Sequence, residues 1–294
     1  MKGWMNPVFL GGLSGTGKTQ LRVALAAHPA LSLTRHTALW DRYFGRFGDL
    51  REPGALDRCL ATIESDEVVA VLAPESGRLR DAFAEGPATY ARLFGLVHAH
   101  HAERVGARRW GEQLRSIERY ADPIFVSFAD ARVIHLVRDP RARFGPGRRR
   151  PRRLGWEAAR WRASWRLAER NRERHPGRYL VLRFEMLAGD PAGTVTDVLR
   201  FIGEPGDPAV DRAVSTLRFP ATGVEERVTS DRRIVDRFLE RYAGTELERS
   251  GYAAGPLDLA PRERVACAVD WPMERAATAL FRLTQRHDAF EARG

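Results

Sequence analysis

The sequence predicts an α/β protein: a doubly wound sheet of mainly parallel strands flanked by helices, with a helical insert. Three observations predict it. Short apolar runs, Val8-Phe9-Leu10 and Val133-Ile134-His135-Leu136-Val137, read as strands buried on both faces. Segments with apolar residues three and four apart alternate with such runs, as in strand–helix–strand units. A glycine-rich stretch, Gly12-Leu13-Ser14-Gly15-Thr16-Gly17-Lys18-Thr19, separates the first apolar run from the first helical pattern.

That first helix starts at Gly17, carries Leu21, Ala24 and Leu25 on one face, and ends by Pro29. Leu31 to Thr34 is a candidate second strand. From about 38 to 104 the pattern is helical, with periodic stretches at Asp66–Leu72, Arg78–Phe83 and Thr89–Ala102. This is the helical insert. Ser116–Phe128 reads as a helix with Ile117, Tyr120, Ile124 and Phe128 on one stripe. A long amphipathic helix follows over Gly155–Arg174, and Tyr179–Phe184 reads as another strand. Helices are predicted over Pro191–Ile202, Ser230–Tyr242 and Pro261–Arg286, and no internal repeat is visible. The 294 residues suit a single domain over 1–294, with a C-terminal helical extension over 256–294.

The formal net charge is +10, and it comes almost wholly from arginine, since Lys2 and Lys18 are the only lysines. Such a balance suits solubility or an anionic ligand without choosing among ligands. Two cysteines, Cys59 and Cys267, are too few for a disulfide framework or a cysteine metal cluster. No apolar stretch has the length of a membrane span, and no apolar leader follows a basic start. The expected compartment is the cytoplasm.

Gly12 to Thr19 fits the P-loop pattern of glycine, four residues, then Gly-Lys-Thr, in the required strand–loop–helix context. Its glycines let backbone N–H groups turn inward around an anion, and the helix N-terminus adds its positive end. Gly12, Ser14, Gly15, Thr16, Gly17, Lys18 and Thr19 are therefore the expected phosphate ligands, and Lys18 adds a full charge near a transferring group. The loop alone does not separate ATP from another phosphorylated donor.

Four blocks, in order, resemble the bacterial sulfotransferase family over about residues 7–255. The loop is followed by His28-Pro29, as in that family. Arg109-Trp110-Gly111-Glu112-Gln113 is similar to a family segment whose glutamate serves as general base. Val137-Arg138-Asp139-Pro140-Arg141 is similar to a strand end whose first arginine grips the donor's 3'-phosphate. Gly177 to Leu187, with Asp190-Pro191 and Phe201-Ile202-Gly203, resembles a family strand, its Arg-Tyr-Glu-Asp-Leu segment and a helix ending in Phe-Leu-Gly. The resemblance implies a P-loop-type fold and 3'-phosphoadenosine 5'-phosphosulfate (PAPS) as donor. It also implies a hydroxyl or amine of a small-molecule or carbohydrate as acceptor. Lys18 and Glu112 are then the expected catalytic residues and Arg138 the 3'-phosphate ligand, with no metal required. The chain departs from the pattern at Gln113, at Phe184 and at Pro146-Gly147, where relatives carry lysine, tyrosine and a phosphate-binding serine.

Other readings stand beside this one. Glu112 is alternatively a structural ion-pair partner of Arg109, and His36 is a second candidate base. Arg138 is alternatively a salt-bridge partner of Asp139. The arginine-rich stretch Arg141–Arg153 reads first as a solvated face and second as a lid. A nucleic-acid role lacks a recognition motif or stacking platform. Trp156, Trp161 and Trp165 read as packing residues on one helix, and His98, His100 and His101 lack carboxylates for a metal site. A P-loop kinase, with Thr19 on Mg²⁺, is the rival enzyme, and a non-catalytic anion- or nucleic-acid-binding protein is the rival from another class. Oligomeric state and acceptor identity are not written in the sequence.

Overall fold

A computed structural model describes residues 6–144, 154–219 and 230–252, together with 260–262, 264–265, 275–276 and 279–280. The chain forms two compact units, Met1–Val137 with Arg170–Phe219, and Arg138–Glu169 with Pro220–Gly294.

The first unit holds the sheet. Its strands are β1 (Val8–Gly11), β2 (Leu31–Thr34), β3 (Arg109–Gln113), β4 (Arg132–Val137) and β5 (Tyr179–Arg183). They lie in the order β2-β3-β1-β4-β5, every pair parallel. Parallel neighbours need crossover connections, and the helices supply them. These are α1 (Lys18–Ala26), the insert helices α2 (Leu39–Tyr43), α3 (Ala55–Ser65), α4 (Ser76–Ala84) and α5 (Tyr90–Arg104), then α6 (Ala121–Ser127). After β5 come α8 (Phe184–Gly189), α9 (Pro191–Ile202) and α10 (Pro208–Thr216), with α7 (Leu154–Arg174) preceding it.

Alternate residues of β1 feed two cores, because successive side chains point to opposite faces. Val8 and Leu10 pack with Leu21 and Leu25 of α1 and with Val195, Val198 and Ile202 of α9. Phe9 points the other way into an aromatic layer, 5.5 Å from Trp110 at 86°. Trp110 in turn meets Phe128 edge-on at 5.4 Å. Edge-to-face pairs of this kind satisfy the ring quadrupoles. The capping of α9 is local: Asp190 accepts the Gly193 N–H at 2.9 Å, Pro191 opens the helix, and Gly203 closes it with φ 77°.

Arg109–Gln113, which the sequence assigns to no element, is a strand between β1 and β2, although it contains no apolar run. Two sequence expectations change. Ser116–Phe128 is not one helix: a 3₁₀ turn at Ile117–Arg119 precedes α6. Pro123 sits in the first turn of α6, where its missing N–H is harmless, so the regular helix begins just before it. Asp66–Leu72 is a turn followed by a 3₁₀ segment at Ala70–Leu72. Asp66 itself stops the regular pattern, because its carboxylate accepts the N–H of Val68 at 2.7 Å.

In the second unit a 3₁₀ turn at Pro140–Phe144 and the helix α11 (Ser230–Ser250) are described. That helix outruns its predicted end at Tyr242, with non-helical backbone at Ala243. Arg162 and Arg166 converge on the buried Glu246 carboxylate, the former at 2.9 Å. Burial pushes that carboxyl up, but the two guanidinium groups outweigh it and hold it below the usual range. The tryptophans Trp161 and Trp165, one helical turn apart, stack at 6.4 Å and are buried. Packing is the role their placement supports. Most of the predicted helix Pro261–Arg286 lies outside the described residues.

Candidate functional site

The turn from β1 into α1 is built around an inward-curving backbone. Gly12 has φ 121° and Gly17 has φ 85°, values that an L side chain adopts only with strain. Space forbids a side chain there as well. A Cβ on Gly12 would meet the Leu136 carbonyl oxygen at 2.1 Å, and one on Gly17 would meet the Phe184 ring at 2.7 Å. Phe184, where relatives carry tyrosine, thus backs the loop. The Thr16 hydroxyl donates to the Leu13 carbonyl at 2.8 Å and braces the turn. Ser14, Gly15 and Thr19 are exposed at its mouth.

Lys18, the first residue of α1, is only 7% exposed. Its Nζ donates to the Gly12 carbonyl, folding the ammonium back over the loop. A cation held over a ring of backbone N–H groups at a helix N-terminus is an anion cradle. His135 on β4 faces Gly11 across the sheet and sits within a sealed cluster. The Tyr179 hydroxyl lies 3.2 Å from its Nδ1 and Glu118 lies 3.6 Å away. Burial pushes the His135 imidazole down, Glu118 pulls it up, and the Lys18 charge lowers it further.

His28 explains the first residue of the His-Pro pair. Its Nδ1 accepts the Ala30 N–H and its Nε2 lies 3.2 Å from the Pro205 carbonyl. It therefore fastens the end of α1.

Glu112 on β3 is 0% exposed. One oxygen accepts the Thr37 N–H at 2.9 Å and the Thr37 hydroxyl, and the other lies 3.1 Å from His98 Nε2. His98 stacks on Trp110 and its Nδ1 reaches the Thr34 hydroxyl at 3.3 Å. The expected meeting of Glu112 with an acceptor finds no support in this placement, because both oxygens are occupied and sealed. The alternative pairing with Arg109 is corrected too. Arg109 donates to the Ile202 carbonyl at 2.5 Å and meets Glu204 at 3.3 Å. His36, by contrast, pairs with Asp41 at 3.1 Å just beyond β2, an arrangement the sequence shows only as a lone histidine.

Arg138 is the residue after β4 and is half-buried. Its carbonyl accepts the Trp161 indole N–H at 3.1 Å. The neighbouring Asp139 grips Arg141 through two parallel bonds of 2.9 and 2.6 Å. Residues 145–153 of the arginine-rich loop, including Pro146-Gly147, lie outside the described residues. Among the described residues no cluster of three or more histidines, cysteines or carboxylates could hold a metal ion. No described helix is long and apolar enough to cross a membrane.

A parallel five-stranded sheet whose first strand ends in a lysine-bearing phosphate loop defines a P-loop α/β protein. The family model described as "Sulfotransferase family" matches residues 7–208, more than half of the chain. The chain belongs to the sulfotransferase family and is an enzyme of that kind. No curated protein matches this sequence. Among solved structures it is similar to the sulfotransferase domain of the Synechococcus PCC 7002 olefin synthase, at 22% identity and TM-score 0.45. That match covers 91% of this chain and 95% of the other. Sulfotransferase STF1 of Mycobacterium tuberculosis H37Rv is 18% identical, with 81% and 76% covered and a TM-score of 0.46. A sulfotransferase of Alicyclobacillus acidocaldarius is 18% identical, with 85% and 97% covered and a TM-score of 0.42.

Proposed function

We propose that this enzyme transfers a sulfuryl group from PAPS to a hydroxyl or amine of a small-molecule or carbohydrate acceptor. One observation carries the reading: the loop of Gly12 to Thr19 folds a buried ammonium onto the Gly12 carbonyl at the carboxyl end of the sheet's central strand, in a chain of the sulfotransferase family. The loop N–H groups and Lys18 would hold the 5'-phosphosulfate and offset the charge that grows on the bridging oxygen as the bond to sulfur breaks. Arg138 would grip the 3'-phosphate, a role supported by its place in the Val-Arg-Asp-Pro-Arg segment and by the bidentate geometry of guanidinium with phosphate. Positioning and electrostatics then supply most of the rate, as in phosphoryl transfer. The whole chain would form one sulfotransferase domain, since the family match runs through parts of both units. The cytoplasm is the proposed compartment, consistent with a cysteine content of two.

Calorimetric titration with 3'-phosphoadenosine 5'-phosphate, beside ATP with Mg²⁺, tests this. The bisphosphate should bind without metal, and Arg138→Ala should weaken it by roughly tenfold or more, the loss of about 1.5–3 kcal/mol of charged hydrogen bonding. Binding of ATP–Mg²⁺ with no affinity for the bisphosphate would overturn the donor assignment.

A further inference from the structure

We infer that Arg22 and Arg35 form a second oxyanion site beside the phosphate loop, and that this site holds an anionic group of the acceptor: a phosphate, sulfate or carboxylate. The inference deepens the transfer reading above by naming the acceptor's class, and it rests on that reading for the reaction.

Charge is unbalanced along the first strand–loop–helix–strand unit. No aspartate or glutamate occurs before Asp41, so β1, the loop, α1 and β2 contribute cations alone: Lys18, Arg22 and, directly after β2, Arg35. Asp41 is itself committed, to His36 at 3.1 Å and to the Tyr120 hydroxyl at 3.3 Å. Other arginines of the first unit are matched. Arg42 meets Asp66 at 2.8 Å, Arg80 meets Asp57 at 2.7 Å, and Arg109 reaches the Ile202 carbonyl and Glu204. Neither Arg22 nor Arg35 has an ion-pair partner among the described residues.

The fold brings the two together. Along β2 the side chains alternate between faces. Thr34 meets His98 on the α5 side, while Leu31 and Leu33 join Leu21 and Leu25 in the core shared with α1. Arg35 falls in step with Leu31 and Leu33, so it leaves the sheet on the α1 side. Arg22 lies four residues beyond Lys18, on the same stripe of α1. Helical side chains lean toward the N-terminus, which here means toward the phosphate loop. Arg22 is half-buried, and its Nε is sealed from water without a hydrogen-bonding partner among the described residues. Burial presses the Arg22 guanidinium below its ordinary value, and the charge of Arg35 presses it further. Two like charges held side by side, one of them with a buried orphan donor, are unfavourable until an anion joins them.

Their position suits the acceptor better than the donor. Lys18 with the loop N–H groups is assigned to the 5'-phosphosulfate and Arg138 to the 3'-phosphate, so both charged ends of the donor are met without this pair. Two strand spacings, about 10 Å, separate β2 from β1. An acceptor whose hydroxyl or amine reaches the sulfur at the loop can therefore set an anionic group that far off, at Arg35. Each guanidinium presents N–H groups in a fork that fits two oxygens of a phosphate, sulfate or carboxylate.

The test uses the full chain as wild type, Arg22→Gln, Arg35→Gln and Lys18→Ala. Removing one of two repelling charges should leave the melting temperature unchanged or higher, so the arginine variants fold. Inorganic phosphate is titrated while nitrogen-15 spectra follow the arginine Nε–H groups, with Arg22 assigned from the signal lost in Arg22→Gln. The Arg22 signal should shift saturably in the wild type and in Lys18→Ala, where the loop has lost its cation, and stay still in Arg35→Gln. Sulfur-labelled PAPS is then supplied with 2-naphthol or with 6-hydroxynaphthalene-2-sulfonate. The sulfonate should have at least about tenfold the higher kcat/KM, and each arginine variant should remove most of that preference while bisphosphate affinity stays within about twofold. An Arg22 signal that phosphate leaves unmoved in the wild type overturns the proposal. So does a shift that survives Arg35→Gln and vanishes in Lys18→Ala, and so does a sulfonate preference that is absent or that both arginine variants keep. Where transfer to both acceptors is too slow to detect, the phosphate titration decides. Failure of the wild type to bind the bisphosphate strikes the donor reading alone, since the titration of Lys18→Ala still judges the arginine pair.

Discussion

Lys18 is a buried cation whose ammonium rests on the carbonyl of Gly12, six residues earlier. An anion entering the loop offers that ammonium a charged partner in place of a neutral one, a bond about twice as strong. Lys18→Ala should therefore reduce bisphosphate affinity by at least about tenfold, or ~1.5 kcal/mol, with little change in melting temperature. Calorimetry on the folded variant checks this. Gly17 makes the opposite kind of contribution. Its φ of 85° and the Phe184 ring, 2.7 Å from any added Cβ, allow no side chain. Gly17→Ala should cost more than about 1 kcal/mol of stability, read from urea unfolding, and weaken anion binding as the loop shifts. Both residues are legible in the sequence, because the glycine–lysine spacing encodes a local conformation. The surroundings of Glu112 are not. Thr37 and His98, which occupy its two oxygens, lie 75 and 14 residues away in the chain.

The helices α1 and α9 could be drawn from periodicity because each buries one apolar stripe and has a visible end. For α9 the signals agree at every point: Asp190 as cap, Pro191 at the first position, Gly203 at the close. Asp190→Ala leaves the Gly193 N–H without its acceptor and should destabilise the protein by ~1 kcal/mol, measured by the shift in urea midpoint at unchanged slope. The strand β3 is the contrary case. Arg-Trp-Gly-Glu-Gln has no apolar alternation, yet it occupies an interior place in the sheet. Its Arg109 is satisfied by the Ile202 carbonyl and Glu204, and its Glu112 by Thr37 and His98. A strand whose polar side chains find distant buried partners cannot be told from a loop by its own residues. The short helix α2 likewise owes its start to Ala38 in a left-handed conformation, which no local propensity announces.

For the folded chain as a whole, acid sensitivity follows from the buried His135. The His135 imidazole is pushed below its ordinary value of 6.5, by burial first and by Lys18 after it. A depressed histidine means that the unfolded chain binds the proton more tightly, so stability is full above about pH 6.5 and declines as pH falls below it. Melting temperature by calorimetry should drop on that side, and His135→Gln should flatten the slope. The carboxylates held low by cationic or hydrogen-bonding partners, Asp41 and Glu246 among them, extend the loss to lower pH, since their contribution disappears as they protonate. The layered α/β plan and the glycine-rich turn from β1 into α1 were readable from short-range pattern: alternation of apolar runs, glycine where backbone must turn left-handed, a lysine at one spacing. The family was legible through the resemblance of four sequence blocks in order. The partners of Glu112, the pairing of His36 with Asp41, and the place of β3 in the sheet came only with the tertiary structure. They are pairings between residues brought together by the packing of separate elements, and no periodicity along the chain records which distant donor meets which acceptor.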